Sequence, residues 1–121
     1  MFHPNRIVKS FRYAFQGIYL GLKVDHNLKI HFIVAIVVMM VAFFLQVSEF
    51  EFLFIMLAIT FVIFAEFINT AIEVLTNLVV QEHRKEAKIA KDVSAAAVLF
   101  AAFFALIVAL IIFLPKFVVM F

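Results

Sequence analysis

Three long apolar segments dominate the chain, running from about Leu28 to Val47, Phe50 to Val80 and Val93 to Leu114. A helix crosses a bilayer core of ~30 Å with ~20 apolar residues. The first and third segments meet that length. The second exceeds it, which predicts tilt or extension beyond the core. The stretch from Asn5 to Lys23 has a different pattern. Phe11, Phe15, Ile18 and Leu22 recur at helical spacing, while Arg6, Lys9, Arg12, Gln16 and Lys23 lie mostly elsewhere. This predicts a helix lying in the membrane surface with its bases near anionic head groups. Pro4 suits its first turn. Gly17 and Gly21 form a GxxxG spacing, a pattern that allows close helix approach.

Composition reinforces this picture. Of 121 residues, 68% are hydrophobic, where a soluble domain holds nearer half. With 18 Phe but only 2 Gly and 2 Pro, the chain suits helices rather than a barrel of short strands and turns. The expected fold is an all-α integral membrane protein. It forms one domain over 1–121, with a surface helix over 5–24 and transmembrane helices over 28–47, 50–80 and 93–114. There is no Cys, which excludes thiolate and disulfide chemistry. Met1 to Lys9 holds no long apolar core, so no cleaved signal peptide is expected.

The net charge of +2 matters less than its placement. Arg6, Lys9, Arg12, Lys23 and Lys29 precede or begin the first span, and Arg84, Lys85, Lys88 and Lys91 lie between the second and third. The first link has Ser48, Glu49 and Glu51 without a base, and only Lys116 follows the third span. The bias of basic residues toward the inner side places the N-terminus and the 81–92 loop in the cytoplasm and the C-terminus outside.

The second span is the unusual one. Asn69, Thr70, Glu73 and Asn77 stand 3, 4, 7 and 11 residues after Glu66, which puts all five on one helical face. An ionisable group in a membrane helix costs ~2.5–3.5 kcal/mol on insertion scales. Helix glue explains Asn69 or Thr70 as readily as chemistry does, but it explains two carboxylates poorly. Glu73 lies roughly 10 Å from the helix end and Glu66 about as much deeper. The stripe therefore begins at the interface, where a lipid alcohol presents its hydroxyl. Asp25 at the head of the first span and Lys91-Asp92 at the head of the third stand at the same level. Taken singly these are ordinary interfacial anchors. Together, Asp25 and Glu73 suit a divalent cation such as Mg²⁺, and Lys91 suits a phosphate.

Other chemistry is not signalled. His3, His26, His31 and His83 form no metal-ligand spacing and read as interfacial residues. There is no GxxxxGK[ST] or GxGxxG, so a phosphate site here needs side chains and helix ends. Nothing points to nucleic acid. Ser94 and Ala95 to Ala97, with Ala101, Ala102 and Ala105, read as small residues that let helices pack closely. Three helices bury little of a polar stripe, so an oligomer with the stripe facing a neighbouring subunit is expected.

The run from Glu66 to Glu73, Glu-Phe-Ile-Asn-Thr-Ala-Ile-Glu, resembles the signature of the prokaryotic diacylglycerol kinase family. That family includes the undecaprenol kinases of Gram-positive bacteria. Its pattern is Glu-x-apolar-Asn-Ser/Thr-Ser/Ala-apolar-Glu, then two residues, then Val-Asp. The chain matches the first eight positions and departs at Thr76 and Asn77. Ala90-Lys91-Asp92, followed by an Ala-rich stretch, continues the likeness.

The resemblance implies a homotrimeric lipid kinase of the bacterial plasma membrane that uses ATP and Mg²⁺. Its active sites would lie between subunits at the cytoplasmic face. By position Glu66 is the general base and meets the lipid. Asp25 and Glu73 bind the metal and the ATP phosphates, and Asn69, Lys91 and Asp92 contact the nucleotide. Arg6 and Tyr13 lie near nucleotide and lipid, and Glu82, His83 and Arg84 align with a loop near the adenosine end. Ala95 and the stretch 10–15 border lipid. The family usually has Glu where this chain has Asp25, which bears on metal geometry, and Asp where it has Asn77.

Ile30-His31 and the stretch from Lys88 to Val93 look more like the Gram-positive branch, which tilts the substrate toward undecaprenol, with diacylglycerol second. The rival reading is a non-catalytic oligomeric membrane protein, either an ion-conducting or a regulatory subunit.

Overall fold

A computed structural model of the chain describes residues 4–79 and 84–121. Four helices follow in order, α1 (Pro4–Val24), α2 (His26–Phe44), α3 (Glu49–Val79) and α4 (Lys85–Met120). The last three are long and apolar enough to cross a membrane. The chain is thus an all-helical, multi-pass membrane protein, as the apolar pattern predicts.

The connections are short because the helix ends are chemically specified. Asp25 caps α2, its Oδ1 accepting from the Asn27 amide at 2.9 Å. α2 ends where Gln46 turns to a φ of 52°. The Gln46 amide donates to the Phe43 carbonyl at 3.2 Å and the Val47 amide to the Ala42 carbonyl at 3.3 Å. Carbonyls left over at the helix end are thereby satisfied through a left-handed residue, a role glycine fills more cheaply. α3 then opens on a reciprocal cap. The Glu51 amide donates to Ser48 Oγ at 3.2 Å, and the Ser48 amide donates to Glu51 Oε1 at 2.9 Å.

The third apolar segment extends at both ends. The run 85–91, expected as part of a loop, is the first turns of α4. Lys88 and Asp92 pair there at i and i+4, at 2.6 Å. At the other end α4 continues through Pro115 to Met120. A spanning helix tolerates such a proline because a broken helix would leave still more backbone groups without partners in lipid.

α3 packs most extensively on α4, less on α2, and α1 touches α2. The core away from α1 consists of Ala42, Ile55, Ala58, Val108 and Ile112, with Val38, Ile59 and Phe104 against it. Small residues at 42 and 58 let the backbones approach. At the other end Leu28 is fully buried, and Phe32 meets Phe67 edge-on at 6.3 Å. Gly21 is buried at this junction. A Cβ there would lie 3.0 Å from Leu28 Cδ2 and 3.0 Å from Phe67 Cε1, whereas one at Gly17 would meet nothing within 4 Å. Only the second glycine of the GxxxG pair is therefore a contact point, and it lets the end of α1 sit close on α2 and α3.

Candidate functional site

The polar stripe of α3 falls at the end of the bundle where α1 meets α2 and where α4 begins. Its members do not share one environment. Glu66 is 3% exposed and Asn69 9%. Thr70 is half-buried, while Glu73 and Asn77 are exposed within one chain. The expectation that three helices bury little of the stripe is therefore corrected for its deep half. The packing of α2 and α4 against α3 covers Glu66 and Asn69 without a neighbouring subunit.

Asp25 joins the stripe through Thr70. Thr70 Oγ1 lies 2.5 Å from Asp25 Oδ2 and 2.9 Å from the Glu66 carbonyl, and its one proton serves both acceptors. Burial pushes the Asp25 carboxyl up. Side-chain hydrogen bonding with Glu66 and Thr70, and backbone bonds from Asn27 and Leu28, outweigh that and hold it below its ordinary value. The cap of α2 is thus an ionised carboxylate locked onto α3. Asp25 and Glu66 are neighbours although 41 residues of sequence separate them, by subtraction of their numbers.

Asn69 bridges outward. Its Nδ2 lies 3.5 Å from Glu73 Oε1, and its Oδ1 accepts from Ser94 Oγ of α4 at 2.6 Å. One turn beyond Glu73, Lys91 Nζ donates to Asn77 Oδ1 at 2.5 Å. Asn77, which lacks the acid usual in the pattern it resembles, thus holds an ammonium without neutralising it. Asp92 lies on the exposed side of α4 beside Lys88.

Two residues enter that sequence reasoning assigned elsewhere. His31, read as interfacial, is half-buried, and its Nε2 lies 3.7 Å from Glu66 Oε2. It also lines one end of an apolar cavity of about 100 Å³ between α2, α3 and α4, beside Val34, Val62 and Ala109. Ser94, read as a packing residue, is 6% exposed and bonded to Asn69. The spacing of 41 between Asp25 and Glu66 carries no signal that they meet, and the same holds for His31 and Ser94. Each depends on which face its own helix turns inward.

Other expected site residues stay apart in one chain. Arg6 and Tyr13 are exposed on α1, and Ala95 is exposed on α4. Among the described residues no hydrogen bond or ion pair ties them to the cluster. Arg84 is the N-cap residue of α4. Glu82 and His83 lie outside the described residues. Among the described residues, no group of three His, Asp or Glu side chains converges on one point. The donors suit Mg²⁺ all the same, since that ion takes one or two carboxylates and fills its shell with water and phosphate.

Comparison with known proteins decides the class. A family model described as prokaryotic diacylglycerol kinase matches residues 12–113. The chain belongs to the prokaryotic diacylglycerol kinase family. It is 38% identical to an undecaprenol kinase of Bacillus subtilis over 112 residues, covering 93% of this chain and 91% of the relative. It is 37% identical to a diacylglycerol kinase of Synechocystis over 113 residues, covering 93% of this chain and 64% of that longer relative. The family makes the chain a lipid kinase, and the non-catalytic reading is not favoured.

Proposed function

We propose that the protein transfers the γ-phosphoryl group of ATP to a lipid alcohol, undecaprenol in preference to diacylglycerol. The observation that carries this reading is the convergence of Glu66, Asp25, Thr70, Asn69 and Lys91 from three helices at one end of a membrane bundle. The preference for undecaprenol rests on the Bacillus relative, which this chain spans almost end to end, and on the Gram-positive likeness around His31 and Lys88 to Val93.

Glu66 is the base. Once ionised, its carboxyl, buried where the spanning helices meet, takes the proton from the alcohol as the oxygen attacks the γ-phosphorus. Burial excludes water from competing as acceptor. Lys91, oriented by Asn77, meets phosphate oxygens as a point charge. Asn69 presents its amide beside Glu73, and Arg6, Tyr13, Arg84 and Asp92 border the nucleotide. Asp25 and Glu73 are the residues that would hold Mg²⁺, which would supply charge neutralisation on the phosphates. Phosphoryl transfer depends chiefly on such positioning and charge.

The exposure of Glu73 and Asn77 in a single chain supports a homotrimer in which a neighbouring subunit completes each site. The basic residues of α1 and of the start of α4 support an orientation with this end at the cytoplasmic face of the plasma membrane. Purified protein in lipid bilayers, given labelled ATP with Mg²⁺ and a panel of undecaprenol, farnesol and diacylglycerol, tests the reading. Wild type is expected to phosphorylate undecaprenol with the highest kcat/KM. Preferred turnover of diacylglycerol would reverse the substrate order, and no turnover of any alcohol would end the kinase reading.

A further inference from the structure

The buried hydroxyl of Ser94 has no part in the reaction described above, yet it touches Asn69, whose amide also reaches Glu73. Asn69 sits between those carboxylates on α3 and is nearly buried, so each end of its amide needs a partner. Its two ends are chemically different. Nδ2 donates, and it points at Glu73 Oε1, 3.5 Å away. Oδ1 accepts, and Ser94 Oγ lies 2.6 Å from it. Ser94 Oγ is also 2.9 Å from the Lys91 carbonyl, one turn back on α4.

An inverted amide would set Oδ1 against the Glu73 carboxylate, oxygen facing oxygen. The arrangement with Ser94 donating to Oδ1 keeps the amide hydrogens on the carboxylate side. Without a hydroxyl at 94, Oδ1 is a buried acceptor with no donor, and the amide is free to rotate toward one. The same hydroxyl fixes how α4 lies along α3. Ser94–Asn69 is the inner tie and Lys91–Asn77 the outer one, three residues earlier on α4 and eight later on α3 by subtraction of the numbers. The two ties set the Lys91 ammonium at Asn77, one turn beyond Glu73 on α3.

We infer that Ser94 is a positioning residue for the nucleotide half of the site. It orients the Asn69 amide toward Glu73 and holds the register of α4 that presents Lys91. It touches neither substrate. This rests on the proposed kinase reading for what Asn69, Glu73 and Lys91 bind, and it makes nucleotide affinity, rather than lipid affinity, the quantity under the control of Ser94.

The test uses the full chain in lipid bilayers, with Ser94→Ala and Ser94→Cys beside wild type. Cys keeps the shape of the side chain with a slightly larger end atom, and exchanges the hydroxyl for a poor donor. Two readouts are taken, the KM values for MgATP and for undecaprenol, and the rise in melting temperature that MgATP produces without lipid alcohol. Both variants are expected to raise the KM for MgATP about fivefold or more, leave the KM for the alcohol within twofold, and lose most of the MgATP-induced rise. A wild-type KM for MgATP in either variant overturns the inference. So does a parallel rise in both KM values with a lowered melting temperature in the absence of nucleotide, which marks Ser94 as packing. If wild type is stabilised by MgATP but phosphorylates no alcohol, the kinase reading fails. The stabilisation readout then still decides the role of Ser94.

Discussion

The two ends of the bundle are built from the same three helices by different physics. At the end away from α1, Ala42, Ile55, Ala58, Val108 and Ile112 pack without a polar group among them. At the other end Glu66, Asn69 and Ser94 are just as buried, and among the described residues no fully buried side-chain nitrogen or oxygen lacks a partner. In lipid, apolar packing holds helices by contact and shape. A buried polar cluster must instead satisfy every donor and acceptor, so it fixes directions as well as distances. One end is therefore free to be stable, while the other is constrained to place particular atoms.

That contrast gives a double test. Glu66→Gln keeps the shape of the polar end and removes the base. Turnover is expected to fall about 100-fold or more, with MgATP-induced stabilisation retained. Full turnover in this variant would remove Glu66 from the chemistry. Ile55→Ala, at 2% exposure in the apolar end, is expected to cost about 2–5 kcal/mol of stability, read by denaturation in mixed micelles. The activity of the molecules that remain folded should stay near wild type. A loss of kcat in Ile55→Ala equal to that of Glu66→Gln would mean that the two ends are not separable.

Thr70→Val removes the hydroxyl beside Asp25 and should cost about 1–2 kcal/mol. It also changes the response to acid. Asp25 is held below its usual value of 3.8, so its stabilising effect is complete above that value. The effect is lost as pH falls through the lowered one. Without Thr70 the lowering shrinks, so the variant should lose less stability than wild type as pH falls below the usual value of 3.8. An equal acid loss in both proteins would show that Thr70 does not hold the carboxylate.

Gln46, with its φ of 52°, lies beyond the apolar end. Gln46→Gly should raise stability by about 0.5–1 kcal/mol without touching kinetics. The smallest effect is expected at Lys116, whose Nζ lies 3.2 Å from Glu51 Oε1, both side chains being about a third exposed. Lys116→Met should leave activity unchanged and the melting temperature nearly so. A loss of activity there would connect the two ends.

Much of this was legible in particular residues. The period of Glu66, Asn69, Thr70 and Glu73 marked the polar face before any packing was known, and apolar length marked the spans. Ser48 and Glu51, three residues apart, carry a readable cap signal. Lys85 to Lys91 read as a loop because charge suggested solvent. Their i, i+4 spacing with Asp92 equally suits the exposed start of a helix.

By itself the sequence determined the membrane class, the three spans, the amphipathic start and the depth of Glu66 along α3. These follow from composition and from the period of a single helix, which are local properties. Only the tertiary structure decided that Asp25 meets Thr70, that His31 turns to Glu66 and that Ser94 closes on Asn69. Those contacts depend on the rotation and register of one helix against another. Small residues such as Gly21, Ala42 and Ala58 set these through close packing, and no period within one helix encodes them.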